Sequence, residues 1–281
     1  TDEQLKAGLI DVGPPASIFS PGQFVLCEID GSLPFKSSDA RLVSETKWKL
    51  LHEFPDMMAE IENNCNGELM YCFSYGSYEV IVNLSSLINP SKNRPKVAVI
   101  GRHMPRWFEP VEAVPITMVI PDRYPSMEKG VIDGSCLSVN VHHGYKYDEL
   151  CKHHALIGFG DYASIYVTMN KDKWAQISPE DQEIIREISM QAMLEKNPMF
   201  IEQLTETAIK EMKEDMGVTF WPLSEEDRIT WAQALPNFAQ DWINEATTDE
   251  EHQLRIRMWK RYLELTTEAG YEWPMDWSEV K

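Results

Sequence analysis

The densest set of chemistry-bearing side chains is His142-His143 followed by Cys151-Lys152-His153-His154, five imidazole and thiol groups within a short stretch. Groups of this kind hold soft divalent metals when they recur as close pairs such as C-x2-C with H-x3-H, and that spacing is missing here. The intervening Tyr145–Leu150 reads as helical, which puts both His pairs on an exposed helix end. A metal-capturing protein is therefore a minor alternative, and no cofactor is expected. For covalent catalysis, the chain has no G-x-S-x-G, no H-E-x-x-H and no Gly-rich phosphate loop. With 45 Asp and Glu, carboxylate pairs arise by chance, so a hydrolase with an acidic site rests on no motif. The five cysteines, Cys27, Cys65, Cys72, Cys136 and Cys151, cannot all pair internally. Cys65 and Cys72 are near enough to bridge if Asn66-Gly67 turns the chain, although small buried thiols are the favoured reading.

The elements that must position any site are clearest at Ser164–Arg186, which reads as a strand, a Trp-bearing turn and a helix start. Ser178 is the expected N-cap, with Pro179 at the first helical position and Glu180 and Asp181 on the positive end of the helix dipole. Ile201, Leu204, Ala208, Met212 and Met216 continue the helical spacing. So long a helix must lie across two lobes. Asn197-Pro198 falls near its middle, where a missing N–H and a ring clash predict a kink. Elsewhere, Asp39–Leu51 has the pattern of an amphipathic helix. Strands are expected at 10–12, 68–74, 80–84, 96–100, 116–120, 137–141 and 218–221, with later helices at 225–234 and 250–269. Strands alternating with helices predict an α/β fold with a mostly parallel sheet in each lobe.

Four segments in order resemble the DctP-type solute-binding subunit of tripartite ATP-independent periplasmic (TRAP) transporters. They are Leu5-Lys-Ala-Gly-Leu-Ile-Asp11 with Leu33-Pro-Phe35, Gly130-Val-Ile-Asp-Gly134, Met169-Asn-Lys-Asp-Lys-Trp174, and Ser178-Pro-Glu-Asp181 with its long helix. The resemblance spans roughly residues 1–265. It implies a two-lobe periplasmic-binding-protein-like fold with the long kinked helix crossing both lobes. The expected division gives lobe one residues 1–74 and 163–202, lobe two residues 75–162 and 203–256, and a C-terminal helix and tail at 257–281. It further implies a strand–helix–strand unit before Thr1, so Thr1 reads as the start of what is given rather than of the domain.

Within this resemblance, an arginine at the end of the strand before the helix closed by Gly130–Gly134 holds a small organic acid between the lobes. Here that position falls near 97–99, which is apolar, and Arg102 lies just beyond at the same strand end. Arg102 is thus the expected carboxylate anchor, because its fork makes two parallel charge-assisted hydrogen bonds. Tyr78 occupies a second, often basic, position, and Asn140 is the nearest amide to a missing asparagine. Phe19, Trp107, Phe159 and Tyr162, with Tyr78, fall near predicted strand ends. One strong anion anchor among aromatics predicts a monocarboxylate with an apolar body. A net charge of −19 argues against nucleic acid as a partner, and no segment approaches the ~18 apolar residues of a membrane span. The expectation is an extracytoplasmic, non-enzymatic capture protein for a small organic acid, delivering to TRAP-type membrane subunits.

Overall fold

The computed structural model describes residues 1–15, 17, 20, 22–31, 33–83, 94–162 and 165–280. The strands are β1 (Val12–Gly13), β2 (Gly67–Phe73), β3 (Tyr78–Val82), β4 (Lys96–Val99), β5 (Val114–Thr117), β6 (Gly134–Ser138), β7 (His153–Leu156), β8 (Ile165–Asn170) and β9 (Thr219–Pro222). They form two sheets, one of three strands in the order β1-β8-β2 and one of six in the order β5-β4-β6-β3-β7-β9. Helices α1 (Asp2–Lys6), α2 (Ala40–Glu53) and α3 (Pro55–Cys65) accompany the smaller sheet. Helices α4 (Met104–Trp107), α5 (Ile120–Glu128), α6 (Val139–Gly144) and α7 (Tyr147–Leu150) lie between strands of the larger one. Then come α8 (Lys171–Trp174), α9 (Pro179–Gln191), α10 (Asn197–Glu214), α11 (Glu225–Gln233), α12 (Phe238–Asn244) and α13 (Asp249–Glu268).

The α/β two-lobe architecture agrees with the sequence pattern, but the strand directions correct it. In the small sheet β8 runs antiparallel to both β1 and β2, because the chain re-enters it from the other lobe. In the large sheet β4 is parallel to β5 and β6, and β7 to β9, while β3 is antiparallel to β6 and β7. The connection from β2 to β3 is only 74–77, and it carries the chain from the small sheet to the large one.

Ser178 caps α9 as predicted. Its hydroxyl accepts from the Asp181 amide at 3.1 Å and donates to the Asp181 carboxylate at 2.7 Å. Helix α9 packs on β2 of the small sheet and α10 packs on α6 of the large one, so the helical stretch does cross between lobes. The irregularity sits at residues Ala192–Lys196, which form a π-helical turn immediately before Asn197-Pro198. Pro198 cannot donate to the carbonyl four residues back and its ring crowds that turn, so a wider turn relieves both problems.

All five cysteines are buried free thiols, and burial pushes Cys65 up to about 12. The exposed-helix-end expectation for the His pairs is overturned at two of the four residues. His142 and His154 are fully buried, on α6 and β7, with His142 Nδ1 3.0 Å from His154 Nε2. Desolvation holds both well below the usual imidazole range, so they are neutral. Among the described residues no three His, Cys, Asp or Glu side chains stand together as a metal site would require.

Candidate functional site

Parallel strands β4 and β5 end side by side, and the chain beyond each opens a crevice of about 310 Å³. Ile100 and Gly101 follow β4, Thr117 closes β5, Met118 to Pro121 lead into α5, and Tyr145 closes the rim. The carboxyl ends of parallel strands are where open α/β sheets take ligands, since chain reversals there leave a gap. The walls carry no carboxylate and are apolar apart from Thr117 and the Tyr145 hydroxyl. Tyr145 is 48% exposed, and Tyr75, just past β2 of the small sheet, is 38% exposed. Burial first, and then the Tyr145 phenol, raise the Tyr75 pKa, so the two hydroxyls lie within electrostatic reach of one another.

Gly101 has to be glycine. Its φ is +64°, and a Cβ there would run into the Tyr162 hydroxyl. The other expected aromatics converge just behind this point, but as core. Tyr78, Trp107, Phe159 and Tyr162 are each at most 5% exposed. Trp107 lies 5.1 Å from the Tyr162 ring and 5.3 Å from Phe159, and Tyr78 lies 5.7 Å from Tyr162. Phe35, Phe108 and Trp231 complete the cluster, and Trp231 Nε1 donates to the Trp107 carbonyl at 2.7 Å. None of the four lines the crevice directly, because edge-to-face packing among themselves covers their faces. Asn140, on α6, also stays off the crevice walls, and its Oδ1 is buried without a hydrogen-bond partner. Phe19 lies outside the described residues.

Arg102, the expected anchor, is committed elsewhere. Its guanidinium bonds Glu28 at 2.5 and 2.9 Å and Glu245 at 2.8 Å through two nitrogens, and His103 Nε2 lies 3.5 Å from Glu28. One cation between two carboxylates leaves a local sum of −1, which repels an anion rather than attracting it. The same partners raise the Arg102 pKa, Glu245 first and Glu28 next, while partial burial opposes them. Arg106 is likewise held, 2.8 Å from Asp241 and over the Phe238 ring. Both arginines fasten the end of β4 to the segment around α12.

The cation that sequence reasoning missed is Arg123 on α5. It is fully buried. Nε and Nη2 donate to the Met118 carbonyl at 3.2 and 3.0 Å, and Nη1 donates to Ser135 Oγ at 2.8 Å and the Cys136 carbonyl at 3.2 Å. Among the described residues no carboxylate pairs with it, and the titratable groups around it include Tyr147, Cys136, Tyr78 and the neutral His142. Desolvation lowers its pKa from the usual guanidinium value. Met118 is both its partner and a wall of the crevice. Tyr147 stands beside it, donating to the Ile120 carbonyl at 3.0 Å, with its own phenol pushed up to about 12 by burial. In sequence Arg123 looked like any solvated residue in a helix's first turn.

A second cavity, of about 260 Å³, lies between α2, α3, β2 and α9. Its lining includes Glu62 and Glu68 beside Arg186, and it is not at the strand ends of the larger sheet.

No curated protein matches the chain in sequence. The chain is similar in fold to a TRAP periplasmic solute-binding protein from Desulfovibrio salexigens at TM-score 0.78 and 14% identity, covering 100% of this chain and 82% of that one. A marine metagenome TRAP solute-binding protein specific for aromatic acid ligands, in complex with 3-hydroxybenzoate, is similar at TM-score 0.78 and 20% identity over 96% and 82% of the two chains. The periplasmic ectoine-binding protein of the TeaABC TRAP transporter of Halomonas elongata is similar at 0.76 and 17% over 95% and 84%. Those two carry different ligands, so the shared fold does not select one. The model of the family described as bacterial extracellular solute-binding protein, family 7, matches residues 102–245, just over half of the chain. That segment contains the crevice lining from Thr117 to Tyr145, Arg123 and the crossing helix, and the chain belongs to this family of periplasmic TRAP solute-binding proteins.

Proposed function

We propose that the protein captures a small organic acid, a monocarboxylate with an apolar or aromatic body, and delivers it to TRAP-type membrane subunits. The observation that carries this reading is the crevice beyond β4 and β5, with Ile100, Met118, Val119 and Ile120 as walls and Tyr145 at the rim. Such walls favour an apolar body at ~25 cal/mol per Å² buried, so a ring giving up ~100 Å² gains roughly 2–3 kcal/mol. A second carboxylate or a row of hydroxyls would find only the Thr117 and Tyr145 hydroxyls on those walls, at ~1–3 kcal/mol for each group left unsatisfied. The fold relative specific for aromatic acids supports the same class of ligand.

Binding without chemistry fits the site, since the walls carry no acidic pair. The mechanism is closure: the ligand shifts an open–closed equilibrium by as much as it prefers the closed state. Domain boundaries near 74/75, 162/163 and 202/203 suit such a hinge, because they fall at or close to the short β2–β3 connection, the segment before β8, and the helix beyond Pro198. Calorimetric titration with benzoate and phenylacetate against succinate and a sugar acid tests the ligand class. The expected result is tighter binding of the aromatic monocarboxylates. Tighter binding of succinate or the sugar acid than of every apolar monocarboxylate would refute it.

A further inference from the structure

We infer that Arg123 binds the ligand's carboxylate, reaching it from helix α5 rather than from the end of a strand. This rests on the proposal that the crevice takes an organic acid. Isolated charges are buried only at high cost and are normally paired. The other fully buried arginine, Arg255, obeys that rule through Glu251 four residues before it, and Arg102 does so twice over. Arg123 is the exception, a cation with only neutral acceptors around it.

Those acceptors orient the fork without neutralising it. Ser135 Oγ and the Cys136 carbonyl fix Nη1 on strand β6, leaving Nε and Nη2 turned to the Met118 carbonyl at the crevice wall. A carboxylate entering the crevice takes the place of that carbonyl and meets two parallel N–H groups, the bidentate geometry that suits guanidinium. The start of α5 adds to the attraction. Ile120 and Pro121 line the crevice, and the N-cap Val119 offers no side chain to cap the first turn, so the positive end of the helix dipole faces the same space. Residues 97–99 then need no arginine, and Val97, Ala98 and Val99 are buried in β4 between β5 and β6.

The test uses phenylacetate and its neutral amide as probes, titrated into the wild-type protein, Arg123→Gln and Arg123→Lys. The expected result is a loss on the order of 100-fold for phenylacetate in Arg123→Gln, with the amide's weaker binding changed by less than about threefold. Arg123→Lys should fall between, since a point charge replaces a fork. Equal loss for acid and amide, or undiminished phenylacetate binding, overturns the assignment while leaving the organic-acid reading intact. Wild-type protein that binds no carboxylate probe at all overturns that reading as well. Should either variant fail to fold, a crystal structure of the wild type with phenylacetate decides the point. A carboxylate within 3.5 Å of the Arg123 Nη atoms supports it, and one seated on Arg102 or Arg106 refutes it.

Discussion

Replacing Arg102 with methionine should destabilise the protein and leave ligand affinity nearly intact, the reverse of what a ligand anchor would do. Glu28 is 4% exposed, and Arg102 is its principal counter-charge. Removing one partner of a buried pair costs ~3–5 kcal/mol, because the remaining charge is left unpaired. Arg102 itself has a side chain 38% exposed, and Glu245 is 41% exposed, so solvent screening removes much of that figure. About 2–3 kcal/mol is a reasonable net cost. In a chain of this size each kcal/mol moves the melting midpoint by roughly 2–4 °C, giving a fall of about 4–12 °C. Methionine keeps most of the aliphatic stem, so the loss reports charge rather than packing. Adding Glu28→Gln to Arg102→Met should recover part of the loss, since the buried negative charge disappears with its partner. Differential scanning calorimetry and titration with phenylacetate are the two measurements. A tenfold or greater loss of affinity with an unchanged melting point would refute the reasoning and return Arg102 to the binding site.

Glu79 gives a pH signature. Burial pushes its carboxyl up to about 7 from 4.5, against hydrogen bonds from Ser77 and the Gly158 and Ile157 amides. A raised carboxyl pKa means the folded state holds the extra proton, so this contribution is fully present below about pH 4.5 and is lost as pH rises through about 7. The full window is worth at most ~3 kcal/mol. Glu79→Gln should shrink the stability difference between pH 5 and pH 8 in urea titrations, and an unchanged difference would show that Glu79 titrates normally. Gly160→Ala should abolish or severely reduce folding, because φ is +79° and a Cβ would meet the Lys36 carbonyl. A soluble variant with wild-type melting would contradict that contact. Trp231→Phe keeps the ring in the aromatic cluster but removes the donor to the Trp107 carbonyl, and should cost ~1–2 kcal/mol. A stability change below about 0.5 kcal/mol in denaturant titration would show that the carbonyl finds another donor.

Much of the fold was legible because it is written in local signals. Ser178, Pro179 and Asp181 specify a helix start with no tertiary help, and Pro198 forces a local departure that emerged as a π turn. The apolar strand at 96–99 announced itself by its β-branched run. Errors began where the apolar pattern does not distinguish a strand from a buried turn of helix. The strand expected at 137–141 is β6 at Gly134–Ser138 followed at once by α6. Gly134 starts it because β3 passes so close that a Cβ would meet the Ile81 carbonyl. The site was less legible, because charge pairing is set by long-range contacts. Arg102 reads as a free cation until Glu28 and Glu245, 74 and 143 residues away, are brought to it. Arg123 shows the converse, an ordinary helical arginine between Asp122 and Tyr124 that, among the described residues, pairs with no carboxylate once the chain is folded. His142 and His154 misled for the same reason, since their burial follows from α6 packing against β6, β3 and α10, which brings His142 onto His154 of β7, and not from their own neighbours in sequence.

The arrangement also constrains how binding could be coupled to closure. Every lining residue of the crevice, Tyr145 at the rim included, belongs to the larger sheet's lobe, so a ligand touching only these would bind open and closed forms equally and shift nothing. The differential contact has to come from the other side, and Tyr75 is the aromatic placed to supply it, on the four-residue link that joins β2 to β3. That link is backed by fixed points. The Tyr78 amide bonds the Gly160 carbonyl at 2.9 Å, and Glu79 holds the Ile157 and Gly158 amides, so two of the crossings between lobes are tied together. The third crossing, the π turn at Ala192–Lys196, is the one place where the α-helical hydrogen-bond pattern of the crossing helix is interrupted. Movement between lobes would then pivot on the tied pair and be absorbed at the π turn, with the aromatic cluster of Trp107, Phe159 and Tyr162 as the dry bearing between them. On this view the predicted binding aromatics serve function at one remove, by letting the rim tyrosines meet across the ligand.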